Sequence, residues 1–84
     1  MHDFHLADTI YKAIIEEARK NNLKKITKAM IELGSIIEHG DEILPANLEF
    51  NIKLLAQGSP NEGIKLTIDK TPGNNWTLKE IEGK

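Results

Sequence analysis

Apolar and polar positions along the chain alternate between two periods, and the period marks each element. From Leu6 to Lys20 the apolar residues are Leu6, Ala7, Ile10, Tyr11, Ala13, Ile14, Ile15 and Ala18, with Lys12, Glu16, Arg19 and Lys20 opposite them. That spacing predicts an amphipathic helix with one broad apolar stripe. Asp3 suits an N-cap, and Asn21-Asn22 suits the exit, because asparagine tolerates the left-handed conformation. From Ile26 to Leu33 the period drops to two: Ala29, Ile31 and Leu33 alternate with Lys28, Met30 and Glu32, which predicts a strand ended by Gly34. Ser35 to Ile43 has no clean period and is expected to be a loop with a single helical turn at most. Helical spacing returns at Leu44, Leu48, Ile52 and Leu55, with Phe50 and Leu54 widening the stripe. Pro45 fits a first helical turn, while Gly58 and Pro60 forbid continuation.

Strict alternation from Ile64 to Asp69 predicts a strand, and Trp76 to Ile81 predicts a short final one. Thr71-Pro72-Gly73-Asn74-Asn75 between them is dense in turn formers, so the two strands are expected to pair as an antiparallel hairpin. The strand–helix–strand stretch before them allows a right-handed parallel crossover. The expected fold is α+β, in the order α-β-α-β-β: two helices on one face of a three-stranded mixed sheet. No repeat, low-complexity tract or linker interrupts it, and 84 residues suit one domain with one modest core.

Composition narrows the function. A net charge of −2 with intermixed signs leaves no footprint for nucleic acid or an anionic membrane. Lys24, Lys25 and Lys28 cluster at the mouth of a strand, where lysines ordinarily discourage edge aggregation. The absence of cysteine excludes disulfides, thiolate catalysis and a Cys-ligated zinc. No apolar run approaches the ~18 residues of a membrane span, and the start lacks the basic-then-apolar order of a signal peptide. A cytoplasmic location is expected.

The chemistry concentrates at Met1-His2-Asp3-Phe4-His5. A histidine directly after the first residue can chelate largely through backbone atoms. The Met1 α-amine, the His2 main-chain nitrogen and the His2 Nδ1 close five- and six-membered rings on one ion. Planar nitrogen donors suit Ni(II) or Cu(II) better than Mg(II) or Ca(II). The ion displaces the His2 amide proton, so binding weakens as pH falls. Asp3 or His5 completes the square. For His2 and His5 alike, the competing reading is a plain solvated histidine near a terminus. His39, near Glu38, Asp41 and Glu42, has ligand chemistry for a divalent ion but equally fits a polar loop. Trp76 fits a core anchor better than a recognition residue. The adjacent acids Glu16-Glu17 and Asp41-Glu42 diverge on a helix and read as solvated charges. With no nucleophile motif or phosphate loop, the chain is not expected to be an enzyme.

Taken together in order, these residues resemble the nickel-insertion accessory proteins of hydrogenase and urease maturation, the HypA/HybF family. The matching pieces are Met1-His2-Asp3 with Leu6-Ala7, the strand end Ile31-Glu32-Leu33-Gly34, and Leu48, Phe50, Leu54, Gly58, Ser59, Glu62 and Gly63 leading into Ile64-Lys65-Leu66-Thr67-Ile68. A tryptophan-led strand, Trp76-Thr77-Leu78-Lys79-Glu80, follows. The resemblance implies a non-enzymatic metallochaperone that takes Ni(II) at His2, beside the Met1 amine. Its partners would be the pathway's nickel-binding GTPase and a hydrogenase large subunit or urease precursor.

Three features depart from the family. Asp3 stands for the usual Glu, which leaves the backbone donors intact. Ser35 to Pro45 runs a few residues longer. The family's zinc module, two Cys-x-x-Cys pairs, is absent from its place around Thr71 to Asn75, so no structural zinc is expected and a tight turn would splice the flanking strands. Without that module, an interaction or regulatory module that binds maturation partners but delivers no metal is the alternative. Exchange of the first helix or terminal hairpin would give a homodimer.

Overall fold

The computed structural model of the chain describes residues 2–38 and 40–84, with side chains for residues 5–37 and 40–84. Its elements run α1 (His2–Lys20), β1 (Ile26–Leu33), β2 (Ile37–Glu38), β3 (Asp41–Glu42), α2 (Pro45–Ala56), β4 (Lys65–Lys70) and β5 (Trp76–Gly83).

Helix α1 buries Leu6, Ala7, Ile10, Ile14 and Ala18, one line along the predicted stripe. Its exposed face carries the ion pairs Asp8–Lys12 and Glu16–Arg19. The exit is where the asparagines suggested. Asn22 has φ 59°, the Leu23 N–H donates to the Ala18 carbonyl at 2.9 Å, and the Asn22 N–H donates to that of Arg19 at 3.2 Å. Those two bonds form a Schellman motif, with the left-handed residue at Asn22. The entry differs from expectation. The helix already includes His2, so Asp3 lies inside its first turn and is not an N-cap.

Strand β1 occupies the centre of the sheet, in the order β4-β1-β5. It pairs parallel with β4, Ala29 beside Leu66 and Ile31 beside Ile68, and antiparallel with β5, Ile31 beside Leu78 and Leu33 beside Trp76. This arrangement overturns the expected terminal hairpin, because β4 and β5 flank β1 and do not touch each other as partners. Strands lie about 4.8 Å apart, so the 71–75 segment has to cover about 10 Å, within the reach of five residues at ~3.3 Å each. It passes over the end of β1 and is tied there. The Thr71 N–H donates to the Leu33 carbonyl, the Gly34 N–H to that of Asn75 and the Ser35 N–H to that of Gly73, at 2.8–3.0 Å. Gly34 permits the crossing, since a Cβ there would sit 2.7 Å from both the Gly73 and Asn75 carbonyl oxygens. The residues expected to make a splice between neighbouring strands instead form a strap across the central one.

Ser35 to Ile43 is not a helical turn. Ile37 pairs with Glu42 and Glu38 with Asp41 in a short antiparallel ribbon, closed by Ile43 N–H to the Ile36 carbonyl at 2.9 Å. Two residues per strand are too few to show a period, which is why the pattern was illegible.

Helix α2 starts at Pro45 and buries Leu48, Ile52 and Ala56. Phe50 and Leu54, expected to widen its apolar stripe, are 63% and 42% exposed, and Leu44 is also outside the core. A helix laid on a sheet buries a narrow stripe, and the i, i+4, i+8 line suffices. Helix α1 packs on α2 and over β5, and α2 over β4, so both helices cover one face of the sheet. The core lies between, built on Ile10, Ile14, Ile31, Leu33, Ile43, Leu48, Ile52 and Ile64.

Candidate metal centre

The first turn of α1 carries the expected site. Met1 lies outside the described residues, and for His2 and Asp3 the structure describes the backbone alone. The main-chain N–H groups of His2, Asp3 and Phe4, in the first turn of the helix, have no intrahelical acceptor. The amide a chelated ion must deprotonate, that of His2, is therefore one the helix does not use. Leu6 and Ala7, immediately after this turn, are buried, and they fasten it to the core.

His5 is exposed in the first turn, and its carbonyl accepts the Thr9 hydroxyl at 3.1 Å. It stands three residues from His2, on the neighbouring ridge of the helix surface. Asp8, one turn further on, is committed to Lys12 at 3.0 Å.

Of the second candidate cluster, Glu38, His39, Asp41 and Glu42, the described side chains are those of Asp41 and Glu42. His39 lies outside the described residues, as does the side chain of Glu38. Asp41 is exposed, and Glu42 accepts Lys70 Nζ at 2.6 Å. The hydrogen bond and charge of Lys70 hold the Glu42 carboxyl below the usual carboxylate range, with a smaller contribution from Ser35. Lys70 also donates to the Gly34 carbonyl at 3.2 Å, so it pins the ribbon to the end of β1. Among the described residues no group of three or more His, Cys, Asp or Glu side chains is arranged to hold an ion. Trp76 is half-buried against the core and stands beside Leu33, in the structural role expected of it.

One polar network has no forerunner in the sequence pattern. Asn61 is 6% exposed, and its Oδ1 accepts the N–H of Ile26, the first residue of β1, at 2.8 Å. Its Nδ2 donates to the Tyr11 hydroxyl at 3.2 Å, and that hydroxyl lies 3.4 Å from Ser59 Oγ. Ser59 Oγ donates in turn to the Ala56 carbonyl at 2.7 Å. The network ties α1, the end of α2 and the start of β1 together. The run of Gly58, Ser59 and Asn61 after an apolar helix signals a turn, but not which distant N–H it satisfies.

No helix among the described residues is long and apolar enough to cross a membrane. Comparison with known proteins agrees with the order of elements. A family model described as hydrogenase/urease nickel incorporation, metallochaperone, hypA, matches residues 1–79. Hydrogenase maturation factor HypA of Pyrococcus abyssi is 29% identical over 92 residues, covering 100% of this chain and 63% of its own length. Hydrogenase maturation factor HypA 2 of Bradyrhizobium diazoefficiens is 31% identical over 87 residues, covering 100% of this chain and 74% of its own. The chain thus spans a little under two thirds of the first of these relatives. The solution structure of the Ni metallochaperone HypA from Helicobacter pylori shares the fold, with a TM-score of 0.74 over 98% of this chain and 97% of that one at 14% identity. On the match of residues 1–79, this chain belongs to the HypA family of nickel-incorporation metallochaperones, which are accessory proteins and not enzymes.

Proposed function

We propose that this chain binds Ni(II) at its amino terminus and passes it to a nickel enzyme under maturation, a hydrogenase large subunit or a urease precursor. The ligands are the Met1 amine, the His2 amide nitrogen and the His2 Nδ1, with Asp3 or His5 as the fourth donor. The observation that carries this reading is the start of α1 at His2, which leaves the His2 amide without a helical hydrogen bond to lose. Family membership supports nickel as the cargo. The nickel-binding GTPase of the pathway is the partner this role requires, and the zinc module is dispensable to the chelate, which contains no cysteine.

Three nitrogens must lose or lack protons for the chelate to form. The amine and imidazole ordinarily titrate near about 7.7–8.0 and 6.5, so acid displaces the ion through both, and uptake falls as pH drops through that range. A terminal chelate of this kind remains open above and below its plane. The next protein can attack the metal before the first lets go, which suits delivery better than a closed cage.

Titration of untagged protein with Ni(II), followed by absorbance, is expected to give one ion per chain with a square-planar spectrum. His2→Ala abolishes it, and so does an extension before Met1, which removes the amine. Equal binding by all three proteins would eliminate the site. If the chain is instead an interaction module that carries no metal, the untagged protein takes up no nickel, while the untagged and extended proteins bind maturation partners alike.

A further inference from the structure

Strand β5 is the last strand of its sheet: one edge pairs with β1 and the other has no strand partner among the described residues. Beside that free edge, β5 and the last two turns of α1 enclose an open groove of about 1040 Å³, with Leu23, Leu78 and Ile81 at its base and Glu16, Glu17 and Lys20 on its wall. Unpaired edges are templates for another strand, and proteins usually blunt them with lysines and bulges. Both devices are present at one point. The register shifts between Met30 and Ile31, which places one extra residue in β5 around Lys79.

That bulge has a second effect. Along β5 the half-buried positions are Trp76, Leu78, Ile81 and Gly83, and the exposed ones Thr77, Lys79, Glu80 and Glu82. The pattern reads the same in both directions about the Lys79–Glu80 peptide bond. A regular strand of eight residues cannot do this, because its first and last residues face opposite sides.

We propose that a second copy of this chain pairs antiparallel with the free edge of β5, about a two-fold axis that runs between the two strands level with the Lys79–Glu80 bond. Directly opposite residues in an antiparallel pair share a face. In this register Leu78 lies opposite the second copy's Ile81, Trp76 opposite its Gly83 and Thr77 opposite its Glu82. Lys79 lies opposite the second copy's Glu80, and the pair is made twice. Half-buried residues thus meet half-buried ones, and the charges that would repel other strands attract here. A slip of one residue either way sets Lys79 against Lys79 or Glu80 against Glu80, and drives Leu78 onto a glutamate. The product is a six-stranded sheet with all four helices on one face and the two grooves joined across the axis, an isologous interface of the common kind. It involves neither the amino terminus nor nickel, so it stands or falls apart from the delivery role.

Sedimentation equilibrium of the untagged chain in EDTA, over low to high micromolar concentration, tests it. The expected result is a reversible dimer. Lys79→Glu and Glu80→Lys each place like charges opposite one another twice, and each should weaken the dimer by roughly tenfold or more. The double variant K79E/E80K restores opposite charges and should restore the dimer. Lys79 also pairs with Glu32 at 3.9 Å within its own chain, and the double variant does not rebuild that contact. Recovery therefore reports the contact between copies alone. Hydrogen exchange at the amides of β5 provides a second readout, slower at high concentration in the wild type and unchanged by concentration in the single variants. A monomer at every concentration overturns the proposal. So does a dimer indifferent to the substitutions, which would assign the contact to another surface such as the exposed Phe50–Leu54 face of α2.

Discussion

Replacing Asn61 with alanine should be among the most damaging single changes in the chain outside its apolar core. The side-chain amide accepts the Ile26 N–H and donates to the Tyr11 hydroxyl, in a setting where Asn61 and Ile26 are both buried. Truncation strands the Ile26 N–H, and an unsatisfied buried donor costs about 1–3 kcal/mol. The Tyr11 hydroxyl keeps Ser59 within 3.4 Å and loses less. With the lost packing of the amide, the total comes to about 2–4 kcal/mol, against the 5–15 kcal/mol typical of a whole domain. For a chain of this size 2 kcal/mol corresponds to roughly 10 °C or more in Tm.

Urea denaturation, followed by the fluorescence of Trp76 and by far-UV circular dichroism, measures the loss. The midpoint should fall with the m-value unchanged. Tyr11→Phe alone should cost about 1 kcal/mol, and the double variant less than the sum, because the two residues share a bond. Asn61→Asp adds a control with a defined sign. A protonated carboxyl offers the same acceptor and donor as the amide, and burial raises its pKa in the folded state. Its stability relative to Asn61→Ala is therefore full below the unfolded carboxyl pKa and is lost as pH rises through the folded one. A loss below about 0.5 kcal/mol for Asn61→Ala would refute the reasoning, since water would then be serving Ile26 as well as the amide does.

Further outcomes follow from single contacts. Gly34→Ala forces a methyl to within 2.7 Å of two strap carbonyls and should cost about 2–3 kcal/mol, read from the same urea midpoints. Phe50→Ser, on the exposed side of α2, should change stability by no more than about 0.5 kcal/mol; a larger loss in dilute solution would show that the ring is covered. Lys70→Met should return the Glu42 carboxyl to its ordinary range in a carbon-detected NMR titration. Because Lys70 lowers that pKa in the folded state, the contribution of the pair is present above the unfolded pKa of the carboxyl and disappears as pH falls through the lowered one. The acid limb of the stability profile should accordingly flatten in Lys70→Met.

The elements that were legible in advance are those whose pattern repeats long enough to fix a phase. Helix α1 shows its stripe over four turns and its exit in Asn22. Strand β1 begins at Ile26 and ends at Leu33 as its alternation and Gly34 require. What escaped is non-local. A five-residue segment rich in Pro, Gly and Asn serves equally as a hairpin turn or as a strap over an intervening strand. The deciding fact, that Gly34 admits two carbonyls at the end of β1, concerns residues nearly forty positions away. The β2–β3 ribbon is too short to have a period, and its lock, Lys70 on Glu42, again joins distant segments. On α2 the error was of width: Phe50 and Leu54 are apolar, yet one line of Leu48, Ile52 and Ala56 closes the core.

The same contrast bears on the metal centre proposed for the amino terminus. An Asp3 cap would place His2 outside the helix, on a segment free to choose its backbone angles, and chelation would then bear the entropy of ordering it. The helix instead includes His2, and Leu6 and Ala7 bury one turn later. The amide nitrogen of His2 is already positioned, and the helix makes no use of its proton. Asp3 is then an acidic residue in a first turn, where the helix dipole favours negative charge. That charge also offsets part of the repulsion between the dipole and an incoming cation. Shortening the usual glutamate by a methylene therefore leaves intact the two contributions that depend on position and charge, and alters only the reach of the carboxylate. Affinity in this family member should accordingly rest on the first two residues, with the third tuning it.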